Sequence, residues 1–199
     1  MRRFAVICGL TIFTLLFASP IYAVPVEFFA TLTGAAEIPP TGSPGTGSAH
    51  VTFDPAAHTL HVQAIFVGLS APNTAAHVHC CAPQPANIGV ATTVPTFPGF
   101  PSGTTSGTYD NTLDTSLLST YNPAFVTASG GTAASAETAL FTGMVVGQSY
   151  FNIHTTQFPG GEIRGILVTP EAGTLLLLSA GLAGLAGLGQ RLWRQRAVR

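Results

Sequence analysis

Apolar and polar residues alternate one by one through much of the middle of this chain, as they do in strands, whose side chains point to two faces in turn. Val26, Phe28, Ala30 and Leu32 share one face against Glu27, Phe29 and Thr31, which predicts a first strand. Residues 49–53 and 59–67 flank Asp54-Pro55-Ala56-Ala57 and read as a hairpin. In its second arm Leu60, Val62 and Ala64 alternate with His61 and Gln63. Residues 75–79 predict a further short strand. Residues 148–154 and 162–168, separated by Gln157-Phe158-Pro159-Gly160-Gly161, predict a closing hairpin. Short strands joined by Gly/Pro turns imply an all-β domain, an antiparallel sandwich or Greek-key barrel.

Two stretches break the alternation. Residues 81–109 are rich in Pro, Gly and Thr and read as a long surface loop. Residues 132–144 follow Gly130-Gly131 and place Ala136, Leu140 and Met144 four apart, which predicts one short helix. The glycines of residues 41–48 lack the spacing and strand-to-helix context of a nucleotide-binding turn.

The two ends follow other rules. Arg2 and Arg3 precede an apolar run from Phe4 to Phe17, then Ser19-Pro20 and Ile21-Tyr22-Ala23. That is the order of a secretory signal, so residues 1–23 are expected to be removed. The other end, residues 169–199, opens with Pro170-Glu171 and continues as an apolar run from Thr174 to Gly189. As a helix that run would reach about 24 Å, slightly short of a bilayer core. Gly181, Gly184 and Gly187 suit close helix packing, and Arg191, Arg194, Arg196 and Arg199 would hold the C-terminus inside. This tail resembles the PEP-CTERM sorting signals of Gram-negative bacteria. The resemblance implies cleavage near Pro170-Glu171 by an exosortase-type partner, after an inner-membrane precursor stage, and release to the cell surface. Ala172 stands where that family usually has a second proline.

Without its ends the chain changes character. Residues 24–168 carry Glu27, Glu37, Asp54, Asp110, Asp114, Glu137 and Glu162 against Arg164 alone, a formal charge of about −6. A domain with one base cannot neutralise phosphates, which excludes nucleic acid as a partner. The absence of any lysine excludes P-loop and Schiff-base chemistry. About 145 residues suffice for one core.

The order of motifs is itself informative. Phe29-Ala30-Thr31-Leu32-Thr33-Gly34-Ala35-Ala36-Glu37-Ile38-Pro39-Pro40 comes first, then His77-Val78-His79. Tyr150-Phe151-Asn152-Ile153-His154-Thr155 and Pro159-Gly160-Gly161-Glu162-Ile163-Arg164-Gly165 close the series. Together these resemble the CHRD domain, first described in chordin, over nearly all of residues 28–168. The resemblance implies an extracellular β-domain, in chordin part of a growth-factor-binding protein. Cys80-Cys81 and the long loop depart from the Gly-rich turn many members have there.

Because i and i+2 share a face, His77 pairs with His79, Asn152 with His154, and Glu162 with Arg164. If their strands are neighbours, all six polar residues stand on one sheet face. One reading is a buried hydrogen-bond network, with Arg164 paired to Glu162 or Glu37 and the histidines neutral. The other is a metal site, in which His77, His79 and His154 offer three imidazoles to Zn²⁺ or Cu²⁺ and Cys80 a soft ligand. H-x-H on a strand is similar to the copper–zinc superoxide dismutases, though their bridging histidine and later ligand cluster are missing. Cys80 and Cys81 admit a vicinal disulfide, intermolecular crosslinking or metal ligation. No G-x-S-x-G, H-E-x-x-H or paired-carboxylate signature is present, so no catalytic residue is assigned.

Two functions therefore stand open. The first is an exported cell-surface domain that binds or assembles in the extracellular matrix, with surface protein or exopolysaccharide as partner. The second is a copper- or zinc-binding protein, redox-active in one variant. The ends yield a direct test. Intact-mass analysis of surface material should show a chain from Val24 to near Glu171, and Arg199 on that material would replace the sorting tail by a plain anchor.

Overall fold

The computed structural model describes residues 24–170; the expected signal peptide, Glu171 of the sorting motif and the C-terminal apolar run lie outside the described residues. Seven strands form one antiparallel sheet: β1 Val26–Thr33, β2 Thr46–Asp54, β3 Thr59–Val67, β4 Asn73–Cys80, β5 Gly107–Asp114, β6 Ser149–Thr155 and β7 Ile163–Ile166. Their order across the sheet is β4-β6-β7-β1-β2-β3-β5. The domain is mostly β and antiparallel, as expected, with the strands in one curled sheet. Among the described residues no helix is long and apolar enough to cross a membrane.

The alternation decides what the sheet buries. Phe28 and Leu32 of β1, Val51 and Phe53 of β2, and Leu60, Val62 and Phe66 of β3 are all fully buried. Val78, Phe151, Ile153 and Ile163 bring the same face of β4, β6 and β7 into this core. Each such side chain contributes about 1.5–3 kcal/mol over its exposed state.

Helix α2, Ala133–Val145, covers part of that face with Ala136, Leu140 and Met144, all fully buried. Its start is fixed by a reciprocal cap: Thr132 accepts from the Ser135 N–H while the Ser135 hydroxyl accepts from the Thr132 N–H. This is the short helix expected over residues 132–144; a second, α1, spans Pro123–Ala128, where the sequence reading placed none. Asn122 caps α1 and Pro123 opens it, but six residues are too few to show a helical period. Strand β5 also corrects the sequence reading, which carried the long loop to Tyr109. Only Tyr109 and Leu113 of β5 are buried, and Thr108, Asp110 and Thr112 make its outer face polar.

The long loop runs along the free edge of β4. Gly89 O accepts from the Cys80 N–H, the Ala91 N–H reaches Val78 O, and the Phe97 N–H reaches Ala76 O. This occupies backbone groups that an edge strand would otherwise expose. The loop also lies over the outer face, together with residues 34–41 and the β6–β7 turn. Strand β6 is therefore buried at every position, apolar toward the core and polar toward the loops.

The two halves of the sheet meet at β1 and β7. Thr33 pairs with Arg164, and Phe29 and Val168 exchange both backbone hydrogen bonds, at 2.8 and 3.0 Å. Gly165 lies so close to β1 that a Cβ there would sit 2.2 Å from Thr31 O. Backbone cannot yield as a flexible side chain can, so Gly165→Ala should destabilise by about 3 kcal/mol, the upper end of overpacking costs. Gly89, with nothing within 4 Å of its virtual Cβ, is the control. Urea midpoints of the two alanine variants measure the difference, and equal midpoints would mean that the seam is not the tight contact described.

Candidate metal centre

Register builds the site. In the β4–β6 ladder Ala75 faces His154, His77 faces Asn152 and His79 faces Tyr150; in the β6–β7 ladder Asn152 faces Arg164. His77, His79, Tyr150, Asn152, His154 and Arg164 thus share the outer face, beneath the loops. The neighbouring-strand condition set by the sequence is met for all the polar residues but one. Glu162 precedes β7, next to Gly161 at φ 128°, where strand alternation does not apply. Its carboxylate accepts from the Ser43 hydroxyl at 2.5 Å and the Ser70 N–H at 2.5 Å. Burial raises its pKa, but bonds from Ser43, Ser70 and Thr155 outweigh that and hold it below the usual value.

The three histidine rings converge. Their centroids lie 5.2 Å apart for His77–His154, 5.6 Å for His79–His154 and 5.9 Å for His77–His79. One ring nitrogen from each lies within 4.8 Å of the other two. Each ring is also tied to a loop carbonyl. His77 Nε2 is 2.7 Å from Pro95 O, His79 Nδ1 2.7 Å from Ile88 O, and His154 Nδ1 2.9 Å from Pro159 O. A carbonyl only accepts, so the nitrogen facing it carries the proton.

The tautomers follow. Neutral rings keep their lone pairs on His77 Nδ1, His79 Nε2 and His154 Nε2. The last two face each other at 3.4 Å with no proton to share, and His77 Nδ1 is buried without a partner. Fixing one ring nitrogen on a carbonyl is how proteins orient imidazole ligands. Burial also lowers the pKa of His77 to about 4, helped by His154 and opposed by the Pro95 bond. Burial lowers His79 to about 4 as well, against the Ile88 bond and with His154, His77 and Arg164 adding. His154 moves the same way, through burial opposed by the Pro159 bond. All three rings are neutral at neutral pH.

The other three histidines behave differently. His58 Nδ1 reaches Glu137 at 2.9 Å, His61 Nε2 reaches Asp110 at 2.7 Å, and His50 lies 3.9 Å from Glu27. Each has a carboxylate and a partly exposed side chain. The converging three have carbonyls and one another.

Beside them stands a stacked wall that the motifs indicated only in part. Tyr150 stacks on His79 at 4.7 Å, and the Arg164 guanidinium lies 4.6 Å from the Tyr150 ring centre. Arg164 donates to Ala36 O at 2.6 Å and to Asn87 Oδ1 at 2.8 Å, and is 3.7 Å from Glu37. Of the two carboxylate partners considered, Glu37 is the neighbour. Burial nevertheless raises the Glu37 pKa to about 7, against the pull of Arg164 and an Asn152 hydrogen bond. Tyr150 was legible from the alternation, two residues before Asn152. Asn87 and the Ile88, Pro95 and Pro159 carbonyls come from loops whose sequence carries no period.

Cys80 does not join the site. It follows His79 and so points to the opposite face, and its sulfur is bonded to that of Cys81. The pair packs on α2, where a Cβ at Gly143 would meet Cys80 Sγ at 2.3 Å.

These pKa shifts set a pH dependence for the metal-free protein. Between about 4 and 6.5 the unfolded chain takes up protons at His77 and His79 that the folded state refuses, so stability rises with pH there. Glu37 acts oppositely from 4.5 to about 7, but one carboxyl is outweighed by three histidines shifted together. Melting temperature should therefore fall steadily as pH drops from 6.5 to 4. A flat profile across that window would mean that the rings are not buried as neutral groups.

No curated protein and no solved structure matches the chain. A family model does: that of the CHRD domain, over residues 28–167. The match runs from Phe28, the first fully buried residue of β1, to Leu167, the residue that follows β7, taking in the three histidines, Asn152 and Arg164. The chain belongs to the CHRD domain family.

Proposed function

We propose that this CHRD protein is an exported β-domain whose binding role is the capture of one transition-metal ion by His77, His79 and His154. The observation that carries the reading is the convergence of three imidazole rings, one nitrogen of each within 4.8 Å of the other two, with one nitrogen of every ring held by a loop carbonyl. A purely structural network would satisfy its members with one another. Here His77 Nδ1 has no partner, and His79 and His154 present acceptor to acceptor. A cation between the rings resolves both defects. Zn²⁺ and copper are the ions that imidazole sites of this kind take.

A separate observation favours a role in surface assembly. Phe29 is 40 % exposed and stacks on His50 at 4.3 Å, beside exposed Ile166 and Val168 on the outer face of the β1–β2–β7 region. This apolar spot suits contact with matrix protein or exopolysaccharide, and it lies on a different part of the sheet from His77, His79 and His154.

The test is calorimetric titration of the exported protein, prepared without chelator or His-tag, with Zn²⁺ and with copper. His79→Ala and His154→Ala should each abolish stoichiometric binding, whereas His58→Ala should leave it intact. The unperturbed imidazole predicts that affinity falls below about pH 6.5. The lowered values of His77 and His79 move that proton competition down toward pH 4. No binding tighter than millimolar with either metal at neutral pH would end the metal reading and leave the assembly role alone.

A further inference from the structure

The donor set is unusual in carrying no negative charge. Glu162 is held by Ser43 and Ser70, Glu37 lies against Arg164, and the two cysteines are bonded to each other on the opposite face. The remaining side chain beside His77 on this face is Asn152, whose unpartnered Oδ1 is a neutral, hard donor. An ion among the three rings would keep its full charge.

That charge would be buried. His77 and His79 are each 6 % exposed and His154 is 9 % exposed. The solvation lost on burying an ion grows with the square of its charge, so a divalent ion loses about four times what a monovalent ion does. A fixed charge beside the site has the wrong sign. Arg164 reaches the site through the Arg164–Tyr150–His79 stack, and its repulsion is doubled for a divalent ion.

Geometry points the same way. A metal bonded to nitrogens at about 2.0 Å in a trigonal plane holds them about 3.5 Å apart. His79 Nε2 and His154 Nε2 stand at 3.4 Å, and a His77 ring nitrogen lies within 4.8 Å of the other two rings' nitrogens. No charged or soft fourth protein ligand is at hand among the described residues. A closed-shell monovalent ion accepts three neutral nitrogens, whereas Zn²⁺ would have to bring a water into this buried pocket as its fourth ligand and Cu²⁺ prefers a tetragonal set.

Building on the metal reading above, we infer that the His77–His79–His154 centre is a copper site that holds Cu⁺ in preference to Cu²⁺ and Zn²⁺. The preference follows from an uncharged, three-nitrogen pocket under loops, next to a buried guanidinium. Copper would be delivered to it and kept there in the reduced state.

Three anaerobic competition titrations of the exported protein decide the matter, with Cu⁺ against a Cu⁺-selective chelator and Cu²⁺ and Zn²⁺ against chelators of known affinity. One Cu⁺ per chain should bind at least tenfold more tightly than either divalent ion, and His154→Ala should lose it. Melting curves of the variant with and without each ion separate loss of the ligand from loss of the fold. Should His154→Ala prove unfolded, His154→Gln, which keeps the volume and removes the imidazole, is read in the same way. Zn²⁺ or Cu²⁺ bound as tightly as Cu⁺ would overturn the inference and leave the metal centre standing. Failure of all three ions would overturn both.

Discussion

A buried guanidinium governs this domain. Arg164 is 3 % exposed, and a guanidinium keeps its proton inside proteins, so its charge must be met by whatever packs around it. Ala36 O, from the turn after β1, takes one N–H; Asn87, from the long loop, takes another; Tyr150 offers its ring face. Glu37 adds an ion pair at 3.7 Å, although burial pushes that carboxyl toward neutrality. The guanidinium is therefore answered mainly by neutral dipoles. Meeting them draws the residue-87 region of the loop down onto the sheet, which brings the Ile88 carbonyl to His79. The imidazole geometry depends on a charge that touches no imidazole.

Much of the strand framework was legible because it obeys a local rule. Phe28, Ala30 and Leu32, or Leu60, Val62 and Ala64, alternate because one face of each strand packs on the core while the other does not. Where a strand is buried on both faces, as β6 is, the apolar alternation persists only because its loop-facing side is built from Tyr150, Asn152 and His154. Strand β5 escaped because it follows a Pro/Gly-rich stretch and offers the core only two side chains. Helix α1 escaped because one turn and a half has no measurable period.

The site was legible as a set of residues and illegible as chemistry. H-x-H and N-I-H placed three rings on one face, and the β4–β6 pairing made them neighbours. Which nitrogen each ring presents was settled elsewhere, by the carbonyls of Pro95, Ile88 and Pro159. Every residue, proline included, has the same backbone carbonyl acceptor, so no residue type announces such a contact. Glu162 shows the converse. Its i+2 relation to Arg164 placed it in the cluster, but the turn at Gly161 lies outside the strand and sends its carboxylate to Ser43 and Ser70.

If the chain is exported as proposed, the bond between Cys80 and Cys81 has a consequence for the order of events. Residues 24–168 hold no cysteine besides these two. Being neighbours in the chain, they need no distant partner and leave no third thiol to mispair with. Once they are oxidised, a copper or zinc ion meeting the new chain finds no thiolate to lodge on, and soft capture by an unfolded segment is removed as a trap. For the proposed metal, imidazoles are then the strongest ligands left in residues 24–168, and folding gathers three of them, His77, His79 and His154, within reach of one another.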